Sequence, residues 1–346
     1  MVIVGHAPEI IDHNRVREPL TVLFHTLSLG DIAVDAFFIL SGFLITKSFF
    51  NSKKISIYLE RRVLRIVPGF AVAYLVSVFV VGVLLGARPW RDLSETLFRM
   101  VLLCDPKRYP IPGSAMVTPP LNGSMWTILY EFKCYILIAI LGVAGILRQR
   151  RTMLSLAALL LIGDVVSQIP GMNLYLANLG PHSGLRQVVG DPYQSIRLTS
   201  AFLSGSVFFL FQDKIMSRLS LGVALVSFVI WIALLYDDPY TAQFGTVTFG
   251  ALALFWLSFK AELGPVQTIN DKWDISYGVY LYGWPAAVFI LWTAPGLSPV
   301  ELAVTSLGLA AAAGALSWWG VEKWTKDLVV VRRDVNPAAS KLRESV

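Results

Sequence analysis

Charge is scarce in this chain: only 15% of its 346 residues are Asp, Glu, Lys or Arg, while 55% are hydrophobic. A soluble domain carries about 25% charged residues, so the deficit excludes a water-soluble globule, which could not cover itself with polar surface. Cysteine is nearly absent as well. Cys104 and Cys134 make neither a disulfide framework nor a metal-ligand cluster, and no metal is expected. No cleavable signal peptide, internal repeat or separate soluble domain is visible. What the chain does have is a mean hydropathy of +0.62, with ten Trp, twelve Tyr and twenty Phe to furnish aromatic belts at two membrane–water interfaces. The formal charge of +6 could suggest a nucleic-acid partner. The cations, however, sit in short clusters between apolar runs, as membrane topology requires.

A helix crossing the hydrocarbon core needs about 20 apolar residues. Nine stretches qualify: 32–50, 69–86, 125–147, 153–169, 198–211, 219–236, 244–259, 277–294 and 300–319. Residues 1–7 are apolar but too short to cross, and read as the outer end of a span whose beginning is missing. Of the 29 Lys and Arg, nineteen fall in one set of alternate segments, nine in the other, and Lys133 inside a span. The positive-inside rule places the richer set, with Arg61, Arg62 and Arg65, in the cytoplasm. The expected fold is therefore an all-α polytopic transmembrane bundle of about ten helices, the first incomplete, with both termini of the intact protein cytoplasmic. Residues 1–325 form the membrane domain and 326–346 a short polar cytoplasmic tail. Residues 94–103 are expected to form an interfacial helix on the outer side.

Ionisable groups at membrane depth are costly and point to function. His6 ends the first-span stump and Asp35 lies just inside the next span, at similar depth. A carboxylate on one imidazole nitrogen would leave the other as a base; the alternative is a polar pair at a wet interface. Arg61, Arg62 and Arg65 share one helix face on the cytoplasmic side, a geometry suited to phosphate or merely to anchoring topology. Glu131 follows Trp126-Thr127-Ile128-Leu129-Tyr130, roughly 7–8 Å into a span, and must be paired, neutralised or facing a cavity. Lys133 points to another face, and Arg197 at a span start is a further candidate. Asp164 reads as a capped or paired structural acid. Ser276, Tyr277, Tyr280 and Tyr282 precede Trp284-Pro285, and Gly308, Ala310, Ala312 and Gly314 suit close helix packing.

Taken in order, these pieces resemble the membrane acyltransferase-3 family, bacterial O-acyltransferases that modify polysaccharides and other surface glycans. They are His6, the segment from Val34-Asp35 to Ser41-Gly42-Phe43, Arg62 and Arg65 before Pro68, Trp126 to Glu131, Ile275 to Leu281, and Ser317 to Glu322. The resemblance implies ten helices in the bacterial cytoplasmic membrane and an acyl-CoA donor, acetyl-CoA first, bound from the cytoplasm. The acceptor would be a sugar hydroxyl of a lipid-linked or exported glycan. It implies a catalytic role for His6, beside which the depth argument sets Asp35, a role for Glu131 in proton handling or structure, and donor phosphates held by Arg62 and Arg65, with Arg61 beside them. Ser41, Tyr130 and Tyr277 are the candidate oxyanion and substrate contacts. The basic pair and His6 are expected at opposite ends of a core about 30 Å thick. Where the family often has a histidine, this chain has Gly283. The rival readings are a ten-helix transporter or flippase, whose buried charges line a path, and an inactive membrane partner.

Overall fold

The computed structural model describes residues 1–111, 119–169, 171–172, 190–262, 264 and 274–325. The polar tail expected at 326–346 lies outside them. Secondary structure among the described residues is helical throughout. In chain order the helices are α1 Val2–Asp12, α2 Pro19–Phe24 and α3 Leu29–Phe50, then α4 Ile55–Gly82 and the short α5 Leu93–Val101. They continue with α6 Trp126–Val143, α7 Arg150–Ser167, α8 Pro192–Leu210, α9 Gln212–Arg218 and α10 Leu221–Leu235. The last are α11 Pro239–Phe259, α12 Ser276–Thr293 and α13 Pro299–Thr325.

Each of the nine apolar stretches falls on a helix. Five helices, α3, α4, α6, α11 and α13, are long and apolar enough to cross a membrane, and the pair α9–α10, bent by 96°, adds a sixth if it is one span. Helices α7, α8 and α12 reach 18, 19 and 18 residues. Their apolar runs are diluted by Arg150, Arg151 and Asp164, by Arg197 and serines, and by tyrosines, which is why counting apolar runs gives more spans.

The starts of these helices are written into the sequence. Ser28 and Asp31 close a reciprocal capping box on α3, as do Asp238 and Thr241 on α11 and Ser298 and Glu301 on α13. Asp191 caps α8 ahead of Pro192. Each cap satisfies backbone donors that lipid cannot. The helix expected at 94–103 is present as α5. Its Thr96 is buried, the carbonyl accepting from the Tyr74 hydroxyl at 2.8 Å. Leu93, Leu97, Phe98 and Val101 face outward, as in a helix lying in a membrane interface.

Two helix pairs meet backbone to backbone. A Cβ on Gly42 of α3 would lie 1.9 Å from the Phe202 carbonyl oxygen, and one on Gly205 of α8 would lie 1.8 Å from that of Ile39. Between α12 and α13, a Cβ on Gly278 would fall 2.6 Å from the Gly314 Cα. Gly314 thus has the packing role expected of the small residues, whereas Gly308 faces open space. Apolar side chains gain little by leaving lipid for a neighbouring helix, so close backbone approach and Thr46–Ser206, 2.9 Å apart, hold such pairs. Gly42→Val should cost at least about 3 kcal/mol, the upper end of overpacking. The expected outcome is a collapsed yield of monodisperse protein and a lowered thermal midpoint.

Candidate active site

The arginine motif sits in the first half of α4. Arg65 pairs with Asp274 at 2.9 Å and lies over the Tyr277 ring, 5.6 Å from its centroid. Arg62 lies over the rings of Tyr58 and Tyr135, at 6.0 and 5.7 Å. Aromatic faces hold guanidiniums without neutralising them. The Arg62 Nε and Arg65 Nη1 atoms are buried with no acceptor, so this end of the bundle offers unspent donors to an anion. Arg61 occupies the adjoining position.

A cavity of about 230 Å³ opens beside Arg65. Its polar lining comes from Arg65, Thr127, Glu131, Ser276, Tyr277 and Tyr280, and its apolar wall includes Val2, Val34 and Ile128. Glu131 accepts a hydrogen bond from Tyr135 one turn along α6. The Tyr277 hydroxyl donates to the Ile66 carbonyl at 3.0 Å. The Tyr280 hydroxyl lies 2.5 Å from Thr127 Oγ1 and donates to the Ser124 carbonyl at 2.5 Å. Four helices, α3, α4, α6 and α12, thus converge with the first turn of α1 on one small chamber, a largely apolar space with polar groups set into its wall.

His6 stands one helical turn beyond Val2, with its ring edge-on to Trp284 at 4.8 Å. Its carboxylate partner is not Asp35 as the depth argument suggested. His6 Nδ1 lies 2.8 Å from Glu9 Oε2, at i,i+3 on the same helix, and Arg15 Nε lies 3.2 Å from that oxygen. Burial works against the charge on Glu9, yet the His6 hydrogen bond and the Arg15 guanidinium hold its carboxyl below the usual carboxylate range. An ionised Glu9 accepts from Nδ1–H, which fixes the tautomer and leaves Nε2 with its lone pair. Glu9→Ala should therefore lower kcat at least roughly tenfold with little change in donor KM, while Glu9→Gln, which keeps an acceptor, should lose less. Steady-state kinetics on both variants check this.

Asp35 belongs elsewhere. It is fully buried, 3.0 Å from Arg197 Nη2, and Arg197 also reaches Asp31 at 3.3 Å. A buried guanidinium one helix away outcompetes an imidazole for this carboxylate. Tyr130 also turns away from the chamber: its hydroxyl accepts from the Asp191 backbone N–H at 2.7 Å, and Lys133 lies over its ring at 5.2 Å. Ser41 is buried on α3 and does not line the cavity. The structure thus gathers Arg65, Glu131 and Tyr277, with Arg62 behind, and adds His6 one turn away.

The vertical scale differs from expectation too. Tyr277 meets Arg65 and Trp284 meets His6 on the same helix, seven residues apart, so the two ends of the site are separated by about 10 Å along α12 rather than by the full membrane core. Sequence reasoning missed Glu9, Thr127, Tyr135 and Asp274. Glu9 was discoverable from the His-x-x-Glu spacing, and Tyr135 from its i,i+4 relation to Glu131. Asp274 comes from a distant loop and carried no local signal.

A family profile described as an acyltransferase domain matches residues 1–321 of the chain. An O-acetyl transferase of Shigella phage Sf6 is 28% identical over 335 residues, which cover 93% of this chain and 91% of the phage protein. No solved structure matches.

Proposed function

The chain belongs to the membrane acyltransferase-3 family and is an acyltransferase, and from that premise we propose that it moves an acyl group, acetyl first, from acyl-CoA to a sugar hydroxyl of a lipid-linked or exported glycan. The reading includes a bundle of about ten spans, with both termini cytoplasmic, in the cytoplasmic membrane of a bacterium. Residues 1–325 form its catalytic domain and 326–346 a cytoplasmic tail. The name of the phage relative supports oxygen as the acceptor atom and acetyl as the group. The observation that carries the proposal is the cavity joining Arg65 to the first turn of α1, one turn below His6.

In this mechanism the donor's phosphates meet Arg62 and Arg65, whose unpaired N–H groups give charge-assisted hydrogen bonds. The slender thioester arm enters the chamber past Tyr277 and Glu131, and the acyl carbon comes to rest near Val2. A thioester is already activated, so the protein must chiefly remove the acceptor's proton and stabilise the oxyanion. His6 Nε2 takes the hydroxyl proton as the alkoxide oxygen bonds to the carbonyl carbon. The tetrahedral intermediate then expels the thiolate by breaking the C–S bond, and the proton passes to sulfur, leaving ester and free thiol. Thr127, whose hydroxyl donates to the Tyr280 oxygen and lines the chamber, is the oxyanion donor nearest this path once its proton turns from that oxygen to the substrate. Glu131, held by Tyr135, places a carboxyl where the proton can cross toward the thiolate.

The test is transfer of radiolabel from acetyl-CoA to an oligosaccharide or polyprenyl-linked glycan by purified protein in nanodiscs. Label should appear as a base-labile ester, with one free thiol released per ester. Label movement across vesicles without ester formation would instead indicate a transporter.

A further inference from the structure

A continuous run of alternating charge starts at the His6 imidazole and ends at the buried Asp35. His6 Nδ1 meets Glu9 at 2.8 Å, and Arg15 Nε meets the same carboxylate oxygen at 3.2 Å. Arg15 Nη1 lies 3.5 Å from Asp31 Oδ1, in the first turn of α3. That oxygen is 3.3 Å from Arg197 Nη1 of α8, whose Nη2 lies 3.0 Å from Asp35. Arg15 is the link that joins the α1 half of this run to the half on α3 and α8.

The turn after α1 is built to hold Arg15 there. Helix α1 stops at Asp12, where His13 enters the left-handed region at φ 57°. The Asn14 side chain then bridges the Asp12 carbonyl and the Val16 N–H, at 2.9 and 3.0 Å. The Arg15 carbonyl accepts from the Glu18 N–H at 3.1 Å. The fully buried Glu18 carboxylate accepts from the backbone N–H groups of Thr21 and Leu29, at 2.7 and 2.9 Å, which pins the turn to the start of α3. Arg17 is committed to Asp12, 2.6 Å from its Nε, and this leaves Glu9 to Arg15. The other helices against α1 bring no competing charge to the contact: α12 and α13 meet it through Trp284, Ala287, Leu302 and Ala303, and Glu301 of α13 closes its own capping box. Burial disfavours a charge on Glu9, and the groups that outweigh it are His6 and Arg15.

We propose that Arg15 is a positioning residue for acyl transfer: by bridging Glu9 to Asp31 it ties the His6 imidazole to the head of α3 and, through Arg197, to α8. The role rests on His6 acting as the base, and it has a definite electrostatic sign. The working state of the pair is a neutral imidazole beside an ionised carboxylate, reached from the acid side by loss of one proton. A cation alongside favours that loss. Without Arg15 the proton leaves only at higher pH. Without the Asp31 carboxylate it leaves at lower pH, because Arg15 then faces Glu9 alone.

The experiment reads the imidazole itself: the pH dependence of His6 modification by diethyl pyrocarbonate, which attacks the neutral ring, in the full chain in nanodiscs, followed by peptide mass mapping. Arg15→Gln should move the midpoint up by about 0.5–1 pH unit, less than a buried partner would, because Arg15 is 42% exposed. Arg15→Lys, which keeps the charge, should shift it by less than half as much, and Asp31→Asn should shift it down. A merely loosened turn would not produce opposed shifts, and thermal unfolding checks that each variant folds. If Arg15→Gln does not fold, the downward shift in Asp31→Asn carries the test. In transfer assays Arg15→Gln should lower kcat about three- to tenfold on the acid limb with donor KM unchanged, and should lose most of that effect in a Glu9→Gln background. A midpoint unmoved in Arg15→Gln or in Asp31→Asn, or moved the same way in both, would overturn the proposal. Absence of transfer by wild type would strike the acyltransferase mechanism instead, while the modification of His6 would still decide whether Arg15 governs the imidazole.

Discussion

Replacing His6 by alanine is expected to slow acyl transfer about 10²- to 10⁴-fold, the range for losing a positioned general base. Donor KM should stay within about twofold, because the imidazole is a full helical turn from the cavity wall that receives the thioester arm. The effect should fall on kcat since the proton moves only as the new C–O bond forms, and an interaction made only then is lost from the transition state alone. His6→Gln should not recover activity, as an amide offers no basic nitrogen. Folding should survive: His6 packs by its edge on Trp284, and the indole keeps its hydrogen bond to the Pro120 carbonyl at 3.0 Å. Rates of ester formation at saturating donor, with thermal unfolding as the control, check both halves. A decline in kcat matched by a collapse in unfolding temperature would reassign His6 to structure.

The second large effect is expected at Arg65. A hydrogen bond to a charged group contributes about 1.5–3 kcal/mol, so Arg65→Ala should weaken donor binding roughly 10- to 150-fold. Free coenzyme A, which carries the phosphates but no acyl group, should lose affinity to the same extent. Arg65→Lys should fall between, because an ammonium keeps the charge but not the fork. Asp274→Asn supplies the opposite control. It releases the guanidinium from its 2.9 Å ion pair and should leave donor affinity intact or improved. Calorimetric titration of coenzyme A into the four proteins reads the whole series. Equal affinity in all of them would place the donor's phosphates elsewhere.

Helix positions were legible in the sequence because each depends on local chemistry. Apolar runs mark the interiors, while Ser28, Asp191, Asp238 and Ser298 mark the starts. The Arg62–Arg65 spacing and the depth of Glu131 were legible for the same reason, since a charged group in an apolar run is visible without a fold. Partners were not legible where they come from another helix. From depth alone Asp35 pairs with His6, and Arg197, 162 residues away, could be matched to it only once α3 and α8 were packed. The close pairing of those helices rests on Gly42 and Gly205, whose roles emerge only when each is found against the other's backbone. Glu9 is the instructive miss. It is local and within reach of a helical-wheel argument, but the apolar stump of the first span ends at residue 7 in the sequence, whereas α1 carries on through Pro8 to Asp12.

In the proposed mechanism the acyl group passes through the chamber between Arg65 and α1, which can be closed without touching a charged group. Val2→Trp or Ile128→Trp would fill much of its 230 Å³ from the apolar wall. Single-turnover transfer from bound acetyl-CoA is the measurement. Either variant should bind coenzyme A as wild type does, through Arg62 and Arg65, and yet form ester at least about 100-fold more slowly. Unimpaired single-turnover transfer in both, with tryptophan in place and the protein folded, would mean that the acyl group does not pass this way.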